Sequence, residues 1–225
     1  MFTGIVQATG KIEAIEPQDT DMRMVFSCGG LETNDLENGA SIAVNGVCLT
    51  VTDISNARIT VDISGETLSC TTFAKLQPGQ HINVEKSLLP TTPLSGHFVS
   101  GHVDGVGVVR EIADEGRSVR MRIAVPIHLA KYIVPKGSVC VDGVSLTVNH
   151  IKGDEFDVNI IPHTQTVTIF GEYTAGTRVN IEVDIIARYL ERLLNAGNEQ
   201  EKSASTITEA FLVEHGYIKK PGTNR

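Results

Sequence analysis

Apolar and polar residues alternate with a period of two over much of the chain. In Arg58-Ile59-Thr60-Val61-Asp62-Ile63 every second side chain is apolar, and Phe156-Asp157-Val158-Asn159-Ile160 repeats the pattern. Such alternation marks a strand with one face in a core and the other in solvent. Asn45-Gly46 separates Ser41 to Val44 from Cys48 to Thr52, and Asp142-Gly143 divides a similar pair of β-prone stretches. Both dipeptides tolerate the positive φ of a tight turn, so each predicts a hairpin. Short helical segments are expected near Leu31 to Leu36 and, mirrored, near His128 to Val134. After Asp184 the period changes: Ile185, Ile186, Tyr189, Leu190, Leu193 and Leu194 follow helical spacing, Asp184 can cap the start, and Asn195 to Gly197 can end the helix. Gly197 to Ser203 reads as a polar linker, Thr206-x-x-Glu209 as a capping box for a short helix stopped by Gly216, and Lys219 to Arg225 as a disordered end.

The pattern is written twice. Asn45-Gly46-Val47-Cys48-Leu49-Thr50-Val51 returns as Asp142-Gly143-Val144-Ser145-Leu146-Thr147-Val148, an offset of 97 residues. At the same offset Gly4-Ile5-Val6 meets Gly101-His102-Val103, Ser41 meets Ser138, Thr67 meets Thr164 and Phe73 meets Phe170. Gly79, Asn83 and Glu85 likewise meet Gly176, Asn180 and Glu182. One offset held without a gap from residue 4 to residue 85 predicts two homologous domains. About six strands in each, with short connections, suggest small antiparallel barrels that close their own edges. The fold class expected is therefore all-β: two homologous six-stranded antiparallel Greek-key-like barrels in tandem, followed by a C-terminal helix. The boundaries read as 1–94, 95–183, a helix over 184–197 and a tail over 198–225, with Leu89-Pro90-Thr91-Thr92-Pro93 breaking the strand pattern between the repeats.

Composition narrows the chemistry. The chain has 225 residues, 21 Gly, 8 Pro, no Trp, 7 Phe and 4 Tyr, which suits short strands and tight turns better than a large aromatic core. Its 19 basic and 27 acidic residues give a formal charge of −8, without the basic footprint that a phosphate backbone or an anionic membrane requires. No apolar run reaches the length of a membrane span, and the N-terminus lacks a signal-peptide pattern, so a soluble, cytoplasmic protein is expected. Cys28, Cys48, Cys70 and Cys140 form no C-x-x-C pair, and most are expected to be reduced and buried. Dinucleotide, phosphate-loop, zinc-protease and nucleophile-elbow motifs are absent. His97 and His102 lack a third partner for metal ligation, so no metal is expected.

The two copies differ at polar positions. Ile5 meets His102, Gly39 meets Lys136, Cys48 meets Ser145 and Glu66 meets His163. Each has a plain structural reading beside a functional one. Cys48 can be an inert buried thiol, Ser41 and Ser138 can bond local backbone, and Lys136, Glu66 and Glu85 can be solvated charges. His102, between Gly101 and Val103, can titrate near neutrality.

Met1-Phe2-Thr3-Gly4-Ile5-Val6, the paired Asn45 to Val51 and Asp142 to Val148 segments, and Ser100-Gly101-His102-Val103 together resemble the riboflavin synthase family. The likeness covers residues 1 to about 195. It implies tandem lumazine-binding barrels and a C-terminal helix that assembles a homotrimer. It also implies the dismutation of two 6,7-dimethyl-8-ribityllumazine molecules, one giving a four-carbon unit to the other, to yield riboflavin and 5-amino-6-(D-ribitylamino)uracil without a cofactor. Lumazine synthase is a further partner that the resemblance suggests.

By the same resemblance His102, Cys48 and Ser41 are the catalytic candidates, His102 as base or proton shuttle and the other two beside the reacting carbon. One ribityl chain would lie along Asp62, Ile63, Ser64, Gly65, Glu66 and Thr67. The other would lie along Asn159, Ile160, Ile161, Pro162, His163 and Thr164. Gly4, Ile5 and Val6, Cys48, Leu49 and Thr50, Gly101, His102 and Val103, and Ser145, Leu146 and Thr147 would read the ring edges. Lys136 would reach in from an adjoining subunit, with Glu85 and Glu182 as support. His163 departs from the acidic residue that many relatives carry there, and the tail from about Ser203 runs past the usual end of the family's helix. The rival readings are a non-catalytic lumazine- or flavin-binding protein, which resembles this barrel pair but loses one ligand site, and a flavin-reductase barrel, whose Arg-x-Tyr-Ser type motif this sequence lacks.

Overall fold

In the computed structural model, which describes residues 1–204 and 209–218, the alternating segments form twelve strands in two closed barrels. The first contains β1 (Ala8–Gln18), β2 (Asp21–Ser27), β3 (Ser41–Val44), β4 (Val47–Ser55), β5 (Arg58–Ile63) and β6 (His81–Lys86). The second contains β7 (Gly105–Glu115), β8 (Ser118–Ala124), β9 (Ser138–Val141), β10 (Val144–Lys152), β11 (Glu155–Ile160) and β12 (Arg178–Val183). Around the first barrel the order is β1-β2-β5-β4-β3-β6, every pair antiparallel, and the second repeats it strand for strand. Even the bulges obey the repeat: Ile12/Ala14 matches Val109/Glu111, and Val51/Asp53 matches Val148/His150. Bulges sharpen the local bend that a six-stranded sheet needs to close.

Inward residues fill each barrel. Ile12, Met24, Phe26, Val61 and Phe73 pack in the first, and Val109, Met121, Ile123, Val158 and Phe170 at matched positions pack in the second. Both expected hairpins form, with φ of 43° and 76° at Asn45-Gly46 and 42° and 83° at Asp142-Gly143. After β5 the chain enters a short helix, α1 (Gly65–Cys70), that strand periodicity does not announce; Ser64 caps it by accepting from Thr67 N–H at 3.2 Å. Its counterpart α3 (Pro162–Val167) begins on a proline instead.

Three expectations are corrected. Leu31 to Leu36 forms turns rather than a helix; Thr33-Asn34-Asp35 favours a turn, and Lys86 Nζ fixes it by donating to Glu32 O and Asp35. The mirrored segment does contain one turn of helix, α2 (Ile127–Ala130). The last long helix, α4 (Ile185–Ala204), runs through Asn195 to Gly197 and the stretch read as a linker, because one glycine costs only about 1 kcal/mol in a helix and good helix formers follow it. Of the cysteines, Cys28 and Cys140 are buried, whereas Cys48 is half-buried and Cys70 exposed, so fewer are interior than expected. A further short helix, α5 (Glu209–Glu214), precedes Gly216; Thr206 and Lys219 to Arg225 lie outside the described residues.

Residues Met1–Ile185 form one compact unit and Ile186 onward a second. Within the first, the barrels meet about a pseudo-twofold axis. The two hairpin tips touch there: a Cβ on Gly46 would lie 2.6 Å from Gly143 N, and one on Gly143 would lie 2.8 Å from Gly46 N. Asn83 Nδ2 donates to Asp142 O at 2.8 Å and its Oδ1 accepts from Ile169 N–H at 2.9 Å. Asn180 mirrors this, with Nδ2 to Asn45 O at 2.9 Å and Oδ1 from Thr72 N–H at 2.8 Å. Each buried polar group left without such a partner would cost about 1–3 kcal/mol.

Asp142 breaks the symmetry with Asn45. Its Oδ1 accepts from Asn180 N–H at 2.8 Å and its Oδ2 from Tyr173 Oη at 2.5 Å. Burial pushes its carboxyl up to about 7, against these hydrogen bonds, which favour the charged form. The folded chain thus keeps a proton that the unfolded chain releases in the ordinary carboxylate range, so this group's contribution to stability falls as pH rises towards about 7. Asp142→Asn removes that slope. Its melting temperature relative to wild type is expected to rise as pH is taken from about 5 to about 8; a difference that stays constant over that range would refute the assignment.

Candidate functional site

The strand pleat sets the outer face of each barrel. Along β4, Val47, Leu49 and Val51 are buried while Cys48 and Thr50 face outwards; Ser41 lies directly opposite Thr50 on β3, and Ala43 opposite Cys48. Cross-strand partners share a face, so Ser41, Cys48 and Thr50 form one polar strip. β5 runs along the other side of β4 and delivers Asp62 and Ile63 to the start of α1, where Ser64, Gly65, Glu66 and Thr67 follow. Asp62 is bound by Arg23, Nε to Oδ1 at 2.8 Å, and that guanidinium holds its carboxyl below the usual range. In the second barrel Ser145 and Thr147 take the places of Cys48 and Thr50, beside Asn159, Ile160, Ile161, Pro162, His163 and Thr164.

Neither strip is completed by its own barrel. The segment after Val99 lies across the first barrel, where Gly101 O accepts Cys48 N–H at 2.8 Å and Val103 packs against that barrel's core. The N-terminal segment does the reverse: Gly4 O accepts Ser145 N–H at 2.8 Å, and Val6 packs against the core of the second barrel. The two arms are joined by a backbone bridge between Phe2 and Val99, themselves 97 residues apart, with Phe2 N donating to Val99 O at 2.7 Å. Reciprocal arms therefore create two half-sites. One gathers Ser41, Cys48, Leu49, Thr50, residues 62–67 and the arm Gly101, His102 and Val103. The other gathers Ser145, Leu146, Thr147, residues 159–164 and the arm Gly4, Ile5 and Val6. Between them, on the axis, is a buried cluster of Phe2, Ala43, Val99 and Cys140.

His102 is exposed on its arm, its backbone N–H donating to Ser100 Oγ at 3.2 Å. Lys136 is not brought to the Cys48 half-site of its own chain. It precedes β9 in the second barrel, exposed, with φ of 65° where its counterpart Gly39 has 92°. A lysine in this left-handed conformation costs roughly 1–2 kcal/mol, a strain that is typically retained where a side chain is needed. A cleft of about 370 Å³ between the barrels, lined by Asn45, Leu76, His81, Asp142 and Tyr173 among others, contains none of the expected site residues.

One residue has a different setting from the one its spacing implied. His97, considered above only for metal ligation, is buried, with Nδ1 2.7 Å from Ser145 Oγ and no hydrogen-bond partner for Nε2. Burial lowers its pKa against the opposing charge of Asp184, so the imidazole is neutral at neutral pH. At the matching place of the first half-site stands Cys48, so His97 acts on one of the two surfaces. The signal in the sequence was its position just before the second copy.

The family model described as "Lumazine binding domain" matches the chain twice, over residues 3–87 and 100–184. Riboflavin synthase of Photobacterium phosphoreum is 45% identical over 218 residues, covering 97% of this chain and all of that one. Riboflavin synthase of Bacillus subtilis is 42% identical over 217 residues, covering 96% of this chain and all of that one. The chain belongs to the riboflavin synthase family. Among solved structures, LumP complexed with 6,7-dimethyl-8-(1'-D-ribityl) lumazine superposes with a TM-score of 0.73 at 28% identity, covering 81% of this chain and 99% of LumP. LumP complexed with riboflavin gives 0.75 at the same identity and coverage. For this riboflavin synthase family member, the two matched segments begin at Thr3 and Ser100, the residues where the arms begin to hold their turns.

Gly4 and Gly101 make the exchange possible. Their φ values are 75° and 81°, and a Cβ on either would stand 2.6 Å from Ser145 Cβ or 2.5 Å from Cys48 Cβ. Gly101→Ala and Gly4→Ala should each destabilise the protein by more than the roughly 1–2 kcal/mol of the backbone conformation alone. Gly79, at φ 93° with nothing within 4 Å of its Cβ position, is the control that pays only the conformational part. Equal melting-temperature losses for all three alanine variants would contradict the close packing of arm on strand.

Proposed function

We propose that this protein catalyses the dismutation of two 6,7-dimethyl-8-ribityllumazine molecules to riboflavin and 5-amino-6-(D-ribitylamino)uracil. The atoms of two substrates equal those of the two products, so the four-carbon transfer needs no oxidant and no external cofactor. The observation that carries the reading is 42–45% identity along nearly the whole of riboflavin synthases, in a chain that builds both half-sites.

Two identical reactants must meet in a fixed orientation, and holding them so can lower the barrier by up to about 7–11 kcal/mol. A duplicated barrel offers each of them the same kind of surface. The half-sites of one chain flank the buried Phe2 and Val99 cluster, and many of their residues, including Thr50, Ser64, His102, Thr147 and His163, are exposed. A neighbouring chain supplies the facing half-site in this reading, within a homotrimer. The exposed apolar face of α4, with Ile186, Tyr189, Leu190, Leu193 and Leu194, supports that role for the helix. Lys136 then acts on a neighbour's ligand.

Chemistry begins with loss of a proton from the 7-methyl group of one lumazine. An imidazole suits that step as a general base, and His102 brings one to the Cys48 half-site. Cys48 and Ser41 border the reacting ring there. In the other half-site Ser145 has a neutral His97 at hydrogen-bonding distance, which orients its hydroxyl. The two surfaces are therefore alike in shape and different in reactivity, as donor and acceptor roles require. The ribityl chains lie along residues 62–67 and 159–164, where Ser64 and Thr67 on one side and Asn159 and Thr164 on the other offer hydroxyl and amide partners. A non-catalytic carrier, favoured by the likeness to LumP, needs only one of these surfaces.

Purified protein incubated with 6,7-dimethyl-8-ribityllumazine and nothing else is expected to form riboflavin, followed by absorbance; bound but unchanged substrate would favour the carrier. Cys48→Ser and His102→Gln should each lower kcat by about a hundredfold while ligand affinity changes little. Equal losses in both would make these binding residues. Deleting the chain after Ile185 should leave folded barrels that bind ligand without turning it over, and full activity in a demonstrated monomer would exclude assembly as a requirement.

A further inference from the structure

Glu85 on β6 and Glu182 on β12 are 97 residues apart and each is 4% exposed. A buried carboxylate is tolerated only when donors surround it. Glu85 Oε1 accepts from Thr3 N–H at 2.6 Å and from Thr3 Oγ1 at 2.7 Å, and its Oε2 accepts from Gly4 N–H at 3.1 Å. Glu182 does the same with Ser100 N–H at 2.6 Å, Ser100 Oγ at 2.7 Å and Gly101 N–H at 2.9 Å. Burial raises the pKa of both, and these donors oppose it. The partners are the backbone and hydroxyl of an arm, so what each carboxylate fixes is where that arm turns.

The arms cross. The Gly4 turn held by Glu85 of the first barrel presents its carbonyl to Ser145 of the second, and the Gly101 turn held by Glu182 of the second presents its carbonyl to Cys48 of the first. We propose that Glu85 and Glu182 are positioning residues for the opposite half-site: Glu85 sets the geometry of the Ser145 surface and Glu182 that of the Cys48 surface. Each ligand surface is then governed by a carboxylate rooted in the other barrel. A carboxylate serving only its own fold would have its effect on its own barrel's ligand. This rests on the reading that both half-sites bind lumazine or flavin.

The test uses the full chain and 13C-labelled riboflavin, with the two bound signals assigned by Cys48→Ala and Ser145→Ala. Glu85→Gln, which exchanges an acceptor oxygen for a donor, should weaken the signal marked by Ser145 about tenfold or more and leave the other within about twofold; Glu182→Gln should do the reverse. Thr3→Val and Ser100→Ala delete one donor and keep the carboxylate, and should show the same crossed pattern at a few-fold amplitude. In the ligand-free protein, amide exchange at Ser145 should quicken in the Glu85 and Thr3 variants and that at Cys48 in the Glu182 and Ser100 variants. Losses confined to a variant's own barrel, equal losses at both signals, or unchanged exchange at the crossed amide overturn the proposal. Wild-type protein that binds riboflavin at neither surface overturns the ligand-site reading and this proposal with it.

Discussion

Where Gly46 and Gly143 meet, each stands so close to the other that a Cβ on either would fall within 2.8 Å of a backbone nitrogen. No other residue could occupy these positions without parting the hairpins. The close approach lets Asn83 and Asn180 reach across to the carbonyls of the opposite tips and the amides beyond α1 and α3. It also brings the two outer strips near enough for each barrel's leading arm to lie on its neighbour. Duplication alone would give two independent barrels. The glycine contact turns them into one body, and both half-sites are consequences of that contact.

A symmetric frame makes the departures from symmetry informative. Asn45 and Asp142 occupy one position in the two copies, yet Asp142 has the phenol of Tyr173 upon it where Asn45 has Leu76 in the corresponding place. Gly39 relaxes into a left-handed turn that Lys136 adopts under strain. The thiol at Cys48 and the hydroxyl at Ser145 share a backbone environment but not a neighbour, since His97 reaches only the second. Such differences leave the fold undisturbed because they lie on the outer face or at the axis, while the inward residues of the barrels stay matched in character.

The barrels and their hairpins were legible in the sequence because strand alternation, Asn-Gly turns and a fixed repeat are local or periodic signals. The expected site residues other than Lys136 fall into two groups in space, for a reason no local pattern carries. Nothing in the spacing of Gly4 or Gly101 indicates that each completes the surface of the other domain; that depends on contacts between positions far apart in the chain. The helix α1 escaped notice because six residues are too few for a 3.6-residue period to stand out from the strand before it. Helix α4 outruns its expected end for the opposite reason: Gly197 is a stop signal by residue type, although the residues after it sustain a helix. The pairing of His97 with Ser145 joins residues 48 apart and depends on the connecting segment folding back, which no local pattern announces.

The bridge between Phe2 and Val99 also orders events in time. Most strand pairs within each barrel join neighbouring segments, whereas this bridge joins residues 97 apart, the Asn83 to Ile169 hydrogen bond residues 86 apart and the Gly4 to Ser145 contact residues 141 apart. Loop-closure entropy delays such contacts until the local ones are in place. A nascent chain whose first barrel has already closed therefore still lacks Gly101 over Cys48, and its N-terminal arm has no surface to rest on. Both half-sites are completed only once the second copy is in place.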